Sequence, residues 1–295
     1  MNSIGFFTPS PFSDNLERLH ALSHLSKNEW LDLLGLSWKK YYQYKVGLAD
    51  FPTSSLNEIS KYFSIAEDAL VQGELNFSEL EARLSSKDEL PEKYTIGAYG
   101  RRRTPITSIE YLEKAFGWRL KYDVLNHFQM SAATLQDPFA TISIQMITDM
   151  AEYLKKRQFK ANDFFRMGVY SAEGNRYGLI GKIYSEMENL EQVYNIFLNK
   201  MIFMFEKNCT YNYEQVTKTS GLLVMKSCPD IASELKVKYL GSESICELKA
   251  GLLASLPSYM GLNNAKIIHF TCEHRGDDAC RFHVDQMNCS PLSSD

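Results

Sequence analysis

No uncharged apolar run in the 295 residues approaches the roughly 20 that a membrane-spanning helix needs. The opening "MNSIGFFTPSPFSDNLERL" lacks a basic segment followed by an apolar one. That absence argues against a secretory signal and leads us to expect a cytoplasmic protein with no membrane association. Also missing are the glycine-rich dinucleotide and phosphate fingerprints, the H-E-x-x-H pattern and the G-x-S-x-G nucleophile turn, so no motif points to an enzyme. Positive charge is short, with 32 lysines and arginines against 36 acidic residues and a net charge of −4. Such a chain has no global pull toward nucleic acid, and any binding to it needs a local basic patch. What remains is an ordinary globular composition, 44% hydrophobic and 23% charged, at a length that suits two domains.

Helical signals crowd the first eighty residues. Asp14 opens a segment with Leu16, Leu19, Leu22 and Leu25 at helical spacing. Ser26 and Glu29 form a capping box for the next helix, which Gly35 ends. Ser37 caps a third helix that stops at Gly47, and Pro52 and Thr53 introduce a fourth. "AEDAL" makes a short fifth. Five short helices with a glycine turn between the second and third predict a helix-turn-helix arrangement.

The run "LSKNEWLDLLGLSWKKYYQYKVGLADFPTSSLNEISKYFSI" resembles the lambda-repressor-like, Xre-type DNA-binding domain along its whole length. Gly35, Gly47, Pro52 and the closing Lys61, Tyr62 and Phe63 carry the match. The resemblance implies that the third helix enters the major groove of double-stranded DNA. It assigns DNA contact to Lys27, Ser37, Trp38, Lys39, Lys40, Tyr42 and Gln43, and leaves Tyr41 and Tyr44 to the core. Lys27 stands where many members carry glutamine, and Trp38 is bulky for a base-reading position. Residues 14–75 hold six basic against nine acidic side chains, which is poor for a lone phosphate binder. The alternative is a motif kept for protein contacts.

Residues 77–84 fit one amphipathic helix, "SSKDELPEK" has the polarity of a linker, and "YTIGAYG" reads as a short strand. Arg101, Arg102 and Arg103 suit either a phosphate contact or, more commonly, a solvated face. Helices follow from Thr107. One of them, "NLEQVYNIFLNKMIFMFEK", lines up Tyr194, Phe197, Met201 and Phe205. Such a stripe serves as plain core or as the wall of an apolar ligand cavity.

"AKIIHFTCEH" and "ACRFHV" have strand propensity on either side of an Arg275-Gly276-Asp277 turn. A hairpin centred on Gly276 opposes Cys272 to Cys280, Phe270 to Phe282 and His274 to Asp278. Opposed Cβ atoms lie ~5 Å apart, close enough for two thiolates to share one metal ion. The six cysteines (209, 228, 246, 272, 280 and 289) are expected to be reduced in a cytoplasmic protein, and none has a recognisable catalytic partner.

The stretch from Cys246 to Phe282 resembles the C-terminal part of the 4-vinyl-reductase-like sensor domain, found in activators that detect aromatic effectors. Cys246, Gly251, Cys272, Gly276, Asp277, Cys280 and Phe282 carry the match. The resemblance implies zinc on Cys246, Cys272 and Cys280, with His269 standing where the family has an acidic ligand. Strict strand alternation favours His274 instead, unless a bulge intervenes. Two buried cysteines without a metal are the bland alternative.

The combined expectation is an all-α five-helix helix-turn-helix domain over residues 13–75, a linker and first strand over 76–104, and an α+β sensor domain with an antiparallel sheet over 105–290. It describes a homodimeric, sequence-specific DNA-binding transcriptional regulator, not an enzyme, with zinc and a small apolar or aromatic effector. The rivals are an interaction module that binds no DNA and an enzyme related to vinyl reduction. The tail "MNCSPLSSD" is expected to be disordered.

Overall fold

The computed structural model describes residues 11–84, 90–287 and 289–291, the first five residues of the linker-like "SSKDELPEK" falling outside them. The chain forms two compact units, one from residues 1–89 and 118–134, the other from 90–117 and 135–295. Helix content dominates, with one antiparallel sheet of four strands.

In the first unit six helices follow one another: α1 (Pro11–Ser23), α2 (Lys27–Leu34), α3 (Trp38–Lys45), α4 (Thr53–Phe63), α5 (Glu67–Gln72) and α6 (Phe77–Leu84). Ser26 and Glu29 cap α2 reciprocally, and Gly35, in the left-handed region at φ 63°, closes it. Ser37 caps α3 by accepting from the Lys40 N–H. Leu16, Leu19, Trp30, Ile59, Phe63 and Leu70 form the core between these helices.

After α7 (Arg103–Phe116) in the second unit, the chain returns to the first as α8 (Trp118–His127). Charge holds it there. Arg119 bridges Asp14 at 2.9 Å and Glu17 at 2.6 Å, and the Trp118 indole N–H donates to Asp14. Glu81 is buried between α6 and α8, accepting from Lys121 Nζ at 2.9 and 3.0 Å and from the Tyr122 hydroxyl. Burial and the Glu81 carboxylate together push the Tyr122 phenol well above its ordinary range.

The second unit opens with a two-residue pairing of β1 (Gly100–Arg101) and β2 (Thr141–Ile142), shorter than the strand expected from "YTIGAYG". The arginine run is neither a solvated face nor free for phosphate. Arg101 donates to the carbonyls of Phe139 and Met204, Arg102 is buried, and Arg103 donates to Asn175 and to the Gly174 carbonyl.

Next come α9 (Ile144–Lys156), α10 (Ala161–Asn175), α11 (Leu179–Ser185) and α12 (Leu190–Ile196). A π-turn over Phe197–Met201 leads into α13 (Ile202–Phe205). Strands β3 (Cys209–Thr217) and β4 (Ser220–Ser227), helices α14 (Pro229–Glu234) and α15 (Glu243–Ser255), then β5 (Lys266–Thr271) and β6 (Cys280–Asp285) complete the unit. The sheet runs β3-β4-β6-β5, every neighbour antiparallel. Part of the tail expected to be disordered is fixed: Ser290 O accepts from the Asn263 N–H at 2.7 Å, and Cys289 packs on the sheet core.

α15 is apolar on nearly every side, as a helix buried all round must be. It crosses α10 at two glycines. A Cβ on Gly251 would overlap the Phe165 carbonyl oxygen, and one on Gly168 would overlap that of Leu248. Because both obstacles are backbone, a methyl group there must push the helices apart.

Two outcomes follow. Gly251→Ala should destabilise the protein by roughly 3 kcal/mol, the upper range for overpacking a core, read as a lower urea midpoint with little change in slope. Glu81→Ala removes the carboxylate from a buried lysine and should cost about 3 kcal/mol or more, again by urea titration.

Candidate metal centre and ligand cavity

Cys246 lies in the first turns of α15, Cys272 just after β5 and Cys280 at the start of β6. All three are buried, and their sulfurs lie 3.6 Å (Cys246–Cys280), 3.8 Å (Cys246–Cys272) and 3.8 Å (Cys272–Cys280) apart. A tetrahedral ion bound at ~2.3 Å from each thiolate spaces its sulfurs by about 3.8 Å. The fourth group is His269, whose ligand nitrogen completes a set in which all donor atoms lie within 4.8 Å of one another.

A bulge brings His269 there. β5 pairs Ile268 with His283 and His269 with Phe282, then resumes with Thr271 against Arg281, so Phe270 is the extra residue. The simple hairpin register, with Phe270 opposite Phe282, is therefore corrected. Phe270 turns outward, about half exposed, while the His269 ring stacks on Phe282 at 4.5 Å. His274, favoured by strict alternation, sits in the turn and meets Tyr239 edge-on instead.

The turn is fixed from both ends. Asp277 accepts from the Cys272 N–H at 2.7 Å, and the Glu273 N–H donates to the Cys280 sulfur. Buried Glu273 in turn accepts from the Ser227 N–H and hydroxyl. Contact with Cys246 lowers the Cys280 thiol to about 4 and also lowers Cys272, while Cys246, flanked by both, is raised. Burial alone would depress the His269 imidazole, yet Cys280 and the Glu247 carboxylate, 2.9 Å from Nδ1, raise it to about 9. Three thiols sharing one site with a fixed imidazole can chelate one transition-metal ion.

On its other side α15 borders a cavity of about 110 Å³. Ile147, Phe197, Phe205, Leu248 and Leu252 supply apolar wall. From the aromatic stripe, Phe197 and Phe205 reach the cavity, whereas the π-turn swings Met201 to pack on the sheet core and brings Ile202 in. That turn is invisible to a 3.6-residue periodicity.

The polar groups at the cavity were not singled out by the sequence. Lys249 is paired with Glu206 at 2.7 Å and donates to the Tyr211 hydroxyl at 2.8 Å. Burial acts to lower its pKa, but Cys209 and Glu206 prevail and hold it above the ordinary lysine range. Burial also pushes the Cys209 thiol up to about 12. The Tyr184 hydroxyl and Asn208 Oδ1, both on cavity-lining residues, are buried without a hydrogen-bond partner.

The residues expected at DNA lie on α2 and α3 or at their caps. Lys27, Ser37, Trp38, Lys39, Lys40 and Tyr42 are exposed and Gln43 is half-buried, while Tyr41 is buried. Lys27 Nζ stands 3.4 Å from the centre of the Trp38 ring. With α6 and α8 added, the first unit carries ten basic against fourteen acidic residues, a balance adverse to a polyanion.

No protein-family model and no curated protein matches the chain. Solved structures of similar shape are H-NOX proteins. One from S. oneidensis in the Fe(II)NO ligation state shares 12% identity, with a TM-score of 0.48, over 64% of this chain and 99% of its own. An unliganded Fe(II) H-NOX protein from K. algicida shares 11%, with a TM-score of 0.47, over 66% and 99%. A third, from a study of heme distortion in the H-NOX family, shares 12%, with a TM-score of 0.46, over 66% and 99%.

These neighbours correct two expectations. They are described by iron and heme, and none as a DNA-binding regulator or a zinc protein, so the reading as a sequence-specific DNA-binding transcriptional regulator and the assignment of zinc as cofactor are withdrawn. Heme does not fit the cavity either: among the described residues no histidine or cysteine lines it, and its volume falls below the ~300 Å³ at which pockets for drug-sized ligands begin.

If the cluster is one chelating unit, metal-free protein titrated with cobalt(II) should develop thiolate-to-metal absorption that saturates at one ion per chain. Cys280→Ser should weaken that absorption and lower the melting temperature of the loaded protein. Unchanged titration of the variant would show that Cys280 is no ligand.

Proposed function

We propose that the second unit is a small-molecule sensor of the 4-vinyl-reductase-like kind: it binds a compact, largely apolar ligand without transforming it. The observation that carries this reading is the apolar cavity bounded by α15, whose opposite side supplies Cys246. At about 110 Å³ the cavity approaches the ~150 Å³ that admits a benzene-sized molecule. A ligand that prefers one arrangement of these helices biases the unit toward it, which is all that sensing requires.

The cluster of Cys246, His269, Cys272 and Cys280 serves in this reading as a structural metal centre. Three thiolates and an imidazole fill four positions and leave no open site for substrate, and this donor set prefers soft and borderline transition-metal ions over magnesium or calcium. The metal would tie the end of α15 to β5 and β6 and so hold the wall of the cavity.

Lys249 is neutralised by Glu206, whereas Arg101 and Arg103 donate to neutral amide and carbonyl oxygens and leave the wall of the cavity net positive. The wall therefore favours ligands with an apolar body and does not exclude a carboxylate on them. The free Tyr184 hydroxyl and Asn208 oxygen are the groups available to orient them.

A second reading concerns the first unit. Trp38 and Tyr42, each about half exposed beside Lys27, Lys39 and Lys40 in a unit of net acidic charge, suit contact with another protein.

A thermal-shift and calorimetric screen with single-ring compounds, in neutral and carboxylate forms of equal size, tests the sensor reading. Members small enough for the cavity should raise the melting temperature, the carboxylate forms no less than the neutral ones. Tyr184→Phe should weaken binding of a hydroxyl- or carbonyl-bearing ligand by about tenfold, the worth of one hydrogen bond. Uniform failure of every apolar compound would end the reading.

A further inference from the structure

We infer that Glu247 is the positioning residue of the thiol cluster: its carboxylate fixes the His269 ring so that Nε2, and not Nδ1, binds the metal ion. The inference rests on the metal-centre reading above and adds a fifth residue to it.

Three observations carry it. Glu247 Oε1 lies 2.9 Å from His269 Nδ1, so that nitrogen is engaged away from the sulfurs. Nε2 is buried without a hydrogen-bond partner. Stacking on Phe282, within 13° of parallel, fixes the plane of the ring, and the contact of Nδ1 with Glu247 fixes which edge faces it. When a metal ion displaces the proton on Nε2, the carboxylate holds the remaining proton on Nδ1 and leaves the Nε2 lone pair for the ion.

The arrangement follows from the sequence of α15. Cys246 and Glu247 are adjacent, and successive helical residues point about 100° apart. One turn of helix thus delivers a thiolate to the cluster and a carboxylate to the far side of the histidine. The side chain of His269 is only 3% exposed, and that of Glu247 is 23% exposed. The carboxylate therefore reaches solvent while holding a buried ligand.

The test uses the full chain, wild type and the variants Glu247→Gln and Glu247→Ala, with cobalt(II) and cadmium-113 as the probe ions. Glu247→Ala should bind cobalt 10- to 100-fold more weakly than wild type, the usual effect of losing an outer-shell partner. Glu247→Gln should fall between them, because its amide oxygen still accepts from Nδ1–H. Cadmium-loaded wild type should show coupling between cadmium-113 and His269 Nε2, with the proton on Nδ1. If Glu247→Ala does not fold, the glutamine variant and the wild-type coupling still decide the matter. Glu247→Ala with wild-type affinity and spectrum, or coupling through Nδ1, would overturn the inference while sparing the metal centre. Wild type that takes up neither ion would overturn both.

Discussion

The backbone contact between α10 and α15 sets the geometry of the second unit. Gly168 and Gly251 let the two helices touch without intervening side chains, and α15 is the element that both the thiol cluster and the cavity share. Helix packing at ordinary distance would move Leu248 and Leu252 away from the cavity and Cys246 away from Cys272 and Cys280. A single close approach therefore fixes two features on opposite sides of one helix.

The cluster itself depends on a local irregularity. A regular antiparallel ladder has a period of two, so His269 and Cys272, an odd number of residues apart, would face opposite sides of the ribbon. The bulge at Phe270 adds the one residue that reverses this, and Phe282 supplies the flat surface on which the imidazole rests. Asp277 and Glu273 then hold the turn, one through the Cys272 amide and one through Ser227 on β4. The cysteines are thus positioned by ordinary hydrogen bonds even without an ion.

The cavity and the thiol cluster share α15 but draw on different residues of it. Among the described residues the cavity is small and lined without histidine, and the thiol-rich cluster is separate from it. Shape and chemistry are carried by different residues: the apolar pattern that packs helices on a sheet says little about which ligand the interior accepts.

Local features were legible in the sequence because their causes are local. Ser26, Glu29, Gly35 and Ser37 mark helix ends through caps and a left-handed glycine, and those ends fall as the spacing predicts. The thiols Cys246, Cys272 and Cys280 were likewise identifiable from their positions along the chain. The π-turn at Phe197–Met201, the return of α8 to the first unit and the burial of the arginine run were not. Each depends on partners distant in sequence: Glu81 for Lys121, Asp14 for Arg119, and Gly174 and Asn175 for Arg103. The sequence by itself determined where helices begin and end and which thiols are present. Only the tertiary structure decided that His269, not His274, joins them, because one bulged residue changes the face of a strand and no periodicity in the sequence encodes it.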